Sequence, residues 1–419
     1  MKAISLFSSS GIGDLGIKAN NIDIVISCEK EESRHKLYHN NYPNCYCITG
    51  NIWDKVDDIV NYYHKNFEEE PFLVIATPPC QGMSSNGAGK LLSEFRKGNR
   101  KKLDERNRLI IPAIEVILKL KPKWIIFENV PEMINTLIED ENGELVNIID
   151  YMNKKLKPLY EGKPEVVNVA DYGVAQNRKR LITIFTKTEE GKLIFNQKGT
   201  LIPEKTHENN WITLRDAIGH IPPLDGKKGK EKNLEVHPLH YVPVLKEDHY
   251  YWIENTKEGD TAFNNQCVNP KCGYQGNTKH GTNKSDGINK SNNNTPLYCE
   301  KCGELLPRPW VHDKKNNSYR LMKGYVSAYK RMNWDNPAST LTQNFQFACS
   351  DNKIHPSQNR VLSIYEALIL QSISEYDYNF EINGKLSKTG LIRDSIGESV
   401  PPRLIDLICQ NIIQITQNR

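Results

Sequence analysis

The chain has 419 residues, a length that exceeds most single hydrophobic cores and indicates two domains. With 38% hydrophobic residues, 25% charged residues and a net charge of +4, its composition is that of an ordinary soluble globular protein. It has no apolar stretch long enough to cross a bilayer and no signal peptide, so we expect a cytoplasmic protein with no membrane partner.

Short apolar segments alternate with helical patterns in the first half of the chain. The segments predicted to be buried strands are residues 3–7, 24–28, 72–76, 124–127 and 181–185. Residues 109–120 have apolar residues at helical spacing, and helical patterns return at 363–372 and 402–415. This alternation predicts an α/β fold with a mostly parallel, doubly wound sheet of Rossmann type.

The composition changes after about residue 195, where periodicity fades. We predict a first domain in residues 1–195, a smaller irregular domain in 196–351, and a return of 352–419 to the first domain. Residues 200–350 contain 20 Lys and Arg against 16 Asp and Glu, so they account for the basic excess of the chain. A modest basic excess fits contact with a polyanion.

Small residues follow the first predicted strand. Gly11, Gly13 and Gly16 lie there, and Glu29 follows the second strand. Glycines let a backbone approach a ligand, and an acid about 20 residues on can hold ribose hydroxyls. The spacing is not GxGxxG, and a tight turn plus a surface acid explains the same residues about equally well.

Polar residues also follow the later strands. Cys80 comes after the third strand in residues 76–82 (ATPPCQG), where two prolines fix the backbone ahead of the thiol. Such a cysteine is more often structural than nucleophilic, but Glu128 ends the next strand, and Arg178 and Arg180 alternate just before the fifth. Because all of them lie at strand ends, together they indicate an active site.

Two cysteine hooks occur in the second domain. Cys267 and Cys272 form one, Cys299 and Cys302 the other, and each second cysteine lies in a Lys-Cys-Gly turn. Four thiolates at this spacing predict a tetrahedral structural Zn²⁺ in an insert at 267–302, with unligated thiols as the alternative. His280 in the intervening loop is a weaker candidate ligand.

Outside the second domain, the sequence resembles the cytosine-5 DNA methyltransferases of prokaryotic restriction–modification type. Residues 78–81 (PPCQ), 128–130 (ENV) and 176–180 (QNRKR) match the nucleophile, acid and base-holding motifs. The segments that resemble the donor loop, the ribose-binding segment and the last two motifs are residues 6–16, 29–43, 360–371 and 397–401. Asn51 and Glu398 depart from the family, which usually has aspartate and asparagine there.

The resemblance implies the chemistry. Cys80 would attack carbon 6 of a flipped cytosine, Glu128 would bond ring nitrogen 3 and the exocyclic amine, and Arg178 and Arg180 would hold the base carbonyl and orient Glu128 or the thiolate. Residues 81–89 lie where a loop could close over the base. S-adenosylmethionine is the implied donor. The residues implied to bind it are Phe7, Ser10, Gly11, Gly13, Glu29, Asn51, Ile52, Pro79, Leu109, Ser399 and Val400.

The resemblance also implies partners and location. It makes residues 196–351 a target-recognition domain, double-stranded DNA the partner, and the protein a bacterial, cytoplasmic monomer whose cognate restriction endonuclease, where one exists, acts separately. Three alternatives stay open at this point: an RNA cytosine methyltransferase of the same fold, a zinc-dependent nucleic-acid-binding protein with an inactive Rossmann-like domain, and a dinucleotide oxidoreductase. The zinc-bearing domain argues against the first alternative. The second is disfavoured by intact Cys80, Glu128, Arg178 and Arg180, and the third by the glycine-poor loop.

Overall fold

The computed structural model describes residues 1–79, 104–280, 282–285, 288–291, 295–322 and 327–417, with 282–285 and 288–291 described by their backbone alone. Cys80, the predicted nucleophile, and the loop 81–89 lie outside the described residues. The described residues divide into two compact units. The first comprises the described parts of 1–174, together with 178–210 and 372–417. The second comprises 175–177 and the described parts of 211–371.

A seven-stranded sheet forms the centre of the first unit. Its strands are β1 (Lys2–Leu6), β2 (Asp23–Glu29), β3 (Tyr46–Thr49), β4 (Leu73–Ala76), β5 (Trp124–Asn129), β6 (Glu161–Asn168) and β7 (Lys179–Thr186). They lie in the order β3-β2-β1-β4-β5-β7-β6. Strands β1 to β5 are parallel, and β7 runs antiparallel to both β5 and β6. The predicted mostly parallel sheet is confirmed.

Helices cover the sheet of the first unit, and other helices occur in the second unit. They are α1 (Leu15–Ala19), α2 (Glu32–Asn41), α3 (Val56–Asn66), α4 (Ile110–Leu120), α5 (Ile148–Leu156), α6 (Glu189–Lys198), α7 (Leu214–Ile218), α8 (Glu247–Glu254), α9 (Ile364–Leu370), α10 (Thr389–Glu398) and α11 (Pro402–Gln417). Short 3₁₀ helices in the described residues are Ile52–Asp54, Glu105–Leu109, Pro131–Asn135, Val169–Tyr172, Ala262–Asn264 and Ile373–Glu375. None of the helices in the described residues is both long and apolar enough to span a membrane.

Short strand pairs complete the described structure. Four are antiparallel: Leu137–Glu139 with Leu145–Asn147, Thr282–Ser285 with Ile288–Ser291, Trp310–Asp313 with Ser318–Leu321, and Glu381–Ile382 with Lys385–Leu386. In the second unit, Gln176–Asn177 pairs in parallel with Ala338–Ser339. The second unit is therefore held by turns and side-chain contacts more than by a large sheet.

Burial explains which elements form. All residues of β4 and β5 are buried, so both strands are continuous apolar runs apart from the polar end of β5. Eight residues of helix α4 are buried, and seven of them belong to the hydrophobic core that also contains residues of β4 and β5. Helix α9 begins at Ser363, whose side chain forms a capping box with Glu366. The five predicted strands and the three predicted helices are confirmed, and every end lies within two residues of its predicted position.

The compact units divide the chain at other positions than the predicted functional domains. Residues 196–210 belong to the first unit, where Asn411 Nδ2 donates to the carbonyl oxygen of Leu201. Residues 352–371 belong to the second, where the Tyr365 amide donates to the carbonyl oxygen of Leu239. The functional boundaries at 195 and 351 stay a prediction.

Candidate active site

The carboxyl ends of parallel strands meet at one edge of the sheet, where open α/β sheets bind ligands. Phe7 follows β1, Glu29 ends β2, Thr77 follows β4, and Glu128 lies near the end of β5. The first unit therefore brings the predicted donor loop and the predicted acid to a single edge.

Glu128 and Arg180 form the central polar contact of this edge. Arg180 lies two residues before Ile182, which pairs with Glu128 across β7 and β5, so both side chains point to the same face. Arg180 Nε lies 2.8 Å from Glu128 Oε1, and the exposed fractions of the two side chains are only 12% and 10%. A charge-assisted bond of this kind fixes the orientation of the carboxyl group.

Burial sets the protonation of Glu128. Loss of solvent raises its pKa, and the positive charges of Arg180 and Arg178 lower the pKa without cancelling that rise. A carboxyl group whose pKa is raised is more readily protonated, and in that form it can donate a hydrogen bond.

Arg178 has a different environment from Arg180. It is 1% exposed, and its guanidinium donates to the carbonyl oxygens of Gly397 and Ser399 at 2.9 to 3.3 Å. The guanidinium thus secures residues 397–399. The structure brings Arg180 to Glu128 and Arg178 to the C-terminal segment.

The turn that leads to residue 80 is anchored on both sides. Thr77 Oγ1 donates to the carbonyl oxygen of Phe7 at 3.0 Å, and Asn129 Nδ2 donates to the carbonyl oxygen of Pro78 at 3.0 Å. Asn129 directly follows Glu128, so one short segment positions both the acid and the entry to residue 80. Pro79, a predicted donor-binding residue, completes this turn and is partly buried.

Tyrosines clamp the loop after β1. Tyr42 Oη donates to the carbonyl oxygen of Gly11 at 2.7 Å, and Tyr378 Oη donates to that of Ser10 at 2.6 Å. Gly11 has φ +82°, and a Cβ there would lie 2.6 Å from the Tyr42 ring. Only glycine fits both constraints. A Cβ at Gly13 would lie 3.7 Å from Cβ of Val400, so the loop and the C-terminal segment are adjacent.

The same loop contains three hydroxyl groups with no protein partner. The Oγ atoms of Ser8, Ser9 and Ser10 are buried without a hydrogen bond. Buried hydroxyls are normally satisfied, so this loop retains unused donors. It therefore fits a ligand that offers acceptors, such as the carboxylate of an amino-acid-like donor.

The remaining predicted donor-binding residues lie around this loop. The carboxylate of Glu29 accepts from the amides of Ser9 and Glu31 at 2.9 and 2.8 Å, which orients it and leaves further lone pairs for ribose hydroxyls. Asn51 is exposed, and its Oδ1 accepts from the Trp53 amide at 3.4 Å.

The other members of the predicted set include apolar residues and Ser399. Ile52 is 3% exposed, and both Ile52 and the partly buried Leu109 belong to the core of the first unit. Ser399 lies beside Val400, and its hydroxyl donates to the carbonyl oxygen of Ile396 at 2.9 Å.

Some residues that build the site were not predicted. Tyr42 and Tyr378 clamp the loop, and Arg34 Nη2 bonds Oε1 of Glu398 at 2.7 Å. Tyr42 lay within the segment that resembles the ribose-binding region. Arg34 lies within the same segment, residues 29–43, whereas Tyr378 lies in no motif, so only the fold reveals its contact.

The four hook cysteines lie together in the second unit. Their Sγ atoms are all within 4.8 Å of one another. Cys267 and Cys302 are 3.6 Å apart, and Cys272 and Cys299 are 3.9 Å apart. Sulfur atoms around tetrahedral zinc lie about 3.8 Å apart, since each Zn–S bond is about 2.3 Å. The cluster therefore has the donor set of a zinc site, and two of its sulfur–sulfur distances match tetrahedral coordination.

The fold and the site define the chain as an α/β enzyme of methyltransferase type. A family model described as C-5 cytosine-specific DNA methylase matches residues 1–414, and the chain belongs to this family. The enzyme is thus a DNA methyltransferase that acts on carbon 5 of cytosine, which confirms the resemblance. This family favours DNA methylation over the RNA methyltransferase, binding-protein and oxidoreductase alternatives.

Relatives support the family assignment, and solved structures share the fold. The chain is 31% identical to the type II methyltransferase M1.HgaI of Avibacterium volantium, over 98% of this chain and 97% of that one. It is 25% identical to M1.HphI of Haemophilus parahaemolyticus, over 99% and 87%. Dnmt2 of S. pombe shares the fold, with a TM-score of 0.51 at 10% identity over 100% of this chain and 99% of that one. DNMT2 of Spodoptera frugiperda has a TM-score of 0.53 at 12% identity, over 98% and 99%.

Proposed function

We propose that this enzyme transfers a methyl group from S-adenosylmethionine to carbon 5 of a cytosine flipped out of duplex DNA, through a covalent adduct with Cys80. The buried contact of Glu128 with Arg180 carries the proposal. It lies beside Asn129, whose bond to Pro78 anchors the turn that leads to residue 80. Glu128 is therefore oriented next to the segment that precedes Cys80. An acid in this position could assist the attack of the Cys80 thiolate on a cytosine ring.

The thiolate of Cys80 adds to carbon 6, which forms the C–S bond and makes carbon 5 nucleophilic. Glu128 in its protonated form donates to ring nitrogen 3, where negative charge develops, and Arg180 holds the Glu128 carboxyl group in place. Carbon 5 would take the methyl group as the S–CH₃ bond of the sulfonium breaks, with the demethylated thioether as the leaving group. Carbon 5 then loses its proton to a base such as water. Electrons of that C–H bond restore the ring double bond as the Cys80 thiolate leaves.

The donor site follows from the loop after β1. S-adenosylmethionine supplies the electrophilic methyl group. The unpaired hydroxyls of Ser8, Ser9 and Ser10 would bind its carboxylate, and Glu29 would bind its ribose hydroxyls. The other residues proposed to contact it are Phe7, Gly11, Gly13, Asn51, Ile52, Pro79, Leu109, Ser399 and Val400. Arg178 was predicted to hold the base carbonyl. Its role is proposed instead to be that of a positioning residue, because its buried guanidinium donates to the carbonyl oxygens of Gly397 and Ser399.

The target base must leave the helix stack, because a thiolate attacks a cytosine ring from above its plane. We propose that residues 196–351 read the DNA sequence and that a Zn²⁺ ion bound by the four hook cysteines stabilises this region without taking part in the reaction. Four thiolates fill a tetrahedral coordination sphere, so no position remains for a substrate.

The biological setting is proposed from the relatives. Both relatives described above are type II methyltransferases. We propose that this enzyme protects the DNA of a bacterial host in its cytoplasm, as a monomer, and that a cognate endonuclease acts separately on unmethylated DNA.

Covalent trapping tests the mechanism. The protein is incubated with S-adenosylmethionine and random-sequence duplexes that contain 5-fluorocytosine, which retains fluorine at carbon 5 and cannot complete elimination. We expect an adduct that survives denaturation with the wild type and with Cys349→Ser, a matched control at an exposed cysteine. The Cys80→Ser variant should form none.

The trapping outcomes separate the alternatives. Sequencing of the trapped DNA gives the recognition site. An adduct with RNA but not with DNA would overturn the DNA substrate. An adduct that persists in Cys80→Ser would overturn the nucleophile and leave the DNA substrate in place.

A further inference from the structure

A short basic segment of the second unit has no role in the chemistry described above. Residues 226–232 (GKKGKEK), here called the lysine segment, contain four lysines in seven positions. All four are exposed. These residues are Lys227, Lys228, Lys230 and Lys232.

The acids near these lysines bond to other groups. Asp225 accepts from Tyr250 Oη at 3.0 Å and from the Lys227 amide at 2.9 Å, and Glu231 accepts from the Gly229 amide. Within the described ranges, no lysine of the segment forms an ion pair, whereas Lys119, on helix α4, pairs with two acids. The positive charge of the segment is therefore available to a partner.

The backbone of the segment is held at both ends. The Gly226 amide donates to Asn359 at 3.1 Å, and the carbonyl oxygen of Gly226 accepts from Leu245 at 2.8 Å. A Cβ at Gly226 would lie 2.6 Å from the carbonyl oxygen of Asn359, so the close approach needs glycine. At the other end, the Val242 amide donates to the carbonyl oxygen of Glu231 at 2.8 Å. The lysines project from a fixed support, which lowers the entropy lost on binding.

A polar groove of about 510 Å³ lies beside the segment. Lys230 and Lys232 line it together with the polar residues Asn233 and Ser357. Asp225 also lines this groove, and its carboxylate accepts a hydrogen bond from Tyr250 Oη. Ammonium, amide and hydroxyl donors along one groove suit the oxygen atoms of phosphate groups.

We propose that the lysine segment binds the sugar–phosphate backbone of the duplex that the enzyme methylates. This rests on the DNA substrate of the family, and it assigns the segment a share of the affinity that does not depend on base sequence. Lys228, Lys230 and Lys232 contact phosphates, while Lys227 lies over the ring of Tyr250, 4.2 Å from its centroid.

Fluorescence anisotropy across a salt series tests this proposal. The wild type and a Lys228→Ala, Lys230→Ala, Lys232→Ala variant are titrated with three unrelated 40-base-pair duplexes. Each lost phosphate contact should reduce the slope of log K against log salt by about 0.9, so the slope should fall by roughly 2 to 3. Near 0.15 M salt, affinity should fall roughly 10- to 100-fold, by the same factor for all three duplexes.

A matched control removes the same charge elsewhere. Lys65, Lys154 and Lys157 are exposed at the carboxyl ends of α3 and α5, away from the edge that carries Glu128, and their triple alanine variant should keep the wild-type slope. An unchanged slope in the segment variant would overturn the proposal. If that variant does not fold, single Lys228→Glu makes the same test with one exposed side chain. Failure of the wild type to bind any duplex would instead contradict the DNA substrate.

Discussion

Glu128 Oε1 and Arg180 Nε lie 2.8 Å apart in a contact that is almost closed to solvent. Strand β7 runs antiparallel to β5, and this direction places the start of β7 beside the end of β5. A parallel strand at this position would begin at the opposite edge of the sheet. The antiparallel seventh strand is thus what brings an arginine to the acid.

Substitution of either residue should slow methylation and leave the donor site intact. Glu128→Gln keeps a hydrogen-bond donor, but its amide cannot act as an acid toward the base. We therefore expect the rate of methyl transfer to fall roughly 10²- to 10⁴-fold. Arg180→Lys loses the planar group that fixes Glu128, and we expect roughly a 10- to 100-fold loss. Single-turnover transfer of labelled methyl groups measures both. Wild-type rates in Glu128→Gln would rule out its role as a proton donor.

The pH profile should report the protonation of Glu128. Burial raises its pKa and Arg180 lowers it, so Arg180→Gln should raise the pKa further. The active form is protonated, and it is lost as pH rises through that pKa. The limb of kcat/KM that falls with rising pH should therefore move to higher pH in Arg180→Gln. Lys192→Gln, at a partly exposed lysine, is the control and should not shift this limb. If Arg180→Gln does not shift the limb either, the limb reports the titration of a group other than Glu128.

Sequence predicted the buried sheet better than its edges. Strand β5 is buried throughout and is a continuous apolar run before Glu128, whereas β6 at the edge has the sequence EGKPEVVN. Pro164 and the charged residues of β6 are tolerated because one side of an edge strand has no neighbouring strand to bond. The same residues interrupt the apolar pattern from which a strand would be predicted.

The site was predictable only where its residues form local motifs. Glu128, Arg178 and Arg180 were found from short segments at strand ends. The bonds of Arg178 to Gly397 and of Tyr378 to Ser10 join positions more than two hundred residues apart. Such pairs depend on the return of the chain to the first unit, and no local spacing encodes them.

Metal analysis should find one zinc ion per chain. The sulfur spacings fit tetrahedral coordination, so inductively coupled plasma mass spectrometry of the purified protein should give a ratio near one. Cys299→Ser with Cys302→Ser should lose the metal and lower the unfolding midpoint. Cys349→Ser, at an exposed cysteine outside the cluster, should keep both. Full stability of the double variant without metal would show that the cluster does not need zinc.

The ion pair between Arg34 and Glu398 should support donor binding. Glu398 stands where the family usually has asparagine, and Arg34 Nη2 lies 2.7 Å from it. The side chains are 22% and 23% exposed, so the pair contributes modestly, about 0.5 to 1 kcal/mol. Glu398→Gln should weaken S-adenosylmethionine binding roughly two- to five-fold in calorimetry. Arg34→Gln should do the same, and the double variant should add little. Additive losses would show that the two residues act independently.

Gly16 should be the least tolerant glycine of the N-terminal region. A Cβ there would overlap the backbone of Pro402 and Asp406, and neither atom can move without displacing α11 from α1. We expect Gly16→Ala to destabilise the protein by roughly 1 to 3 kcal/mol, and by more if the helices separate. Gly390→Ala is the matched control, because a Cβ at this position, the second residue of α10, meets no atom within 4 Å and should leave the stability near that of the wild type. Denaturant unfolding measures both changes, and equal stability of the two variants would contradict the close contact of α1 with α11.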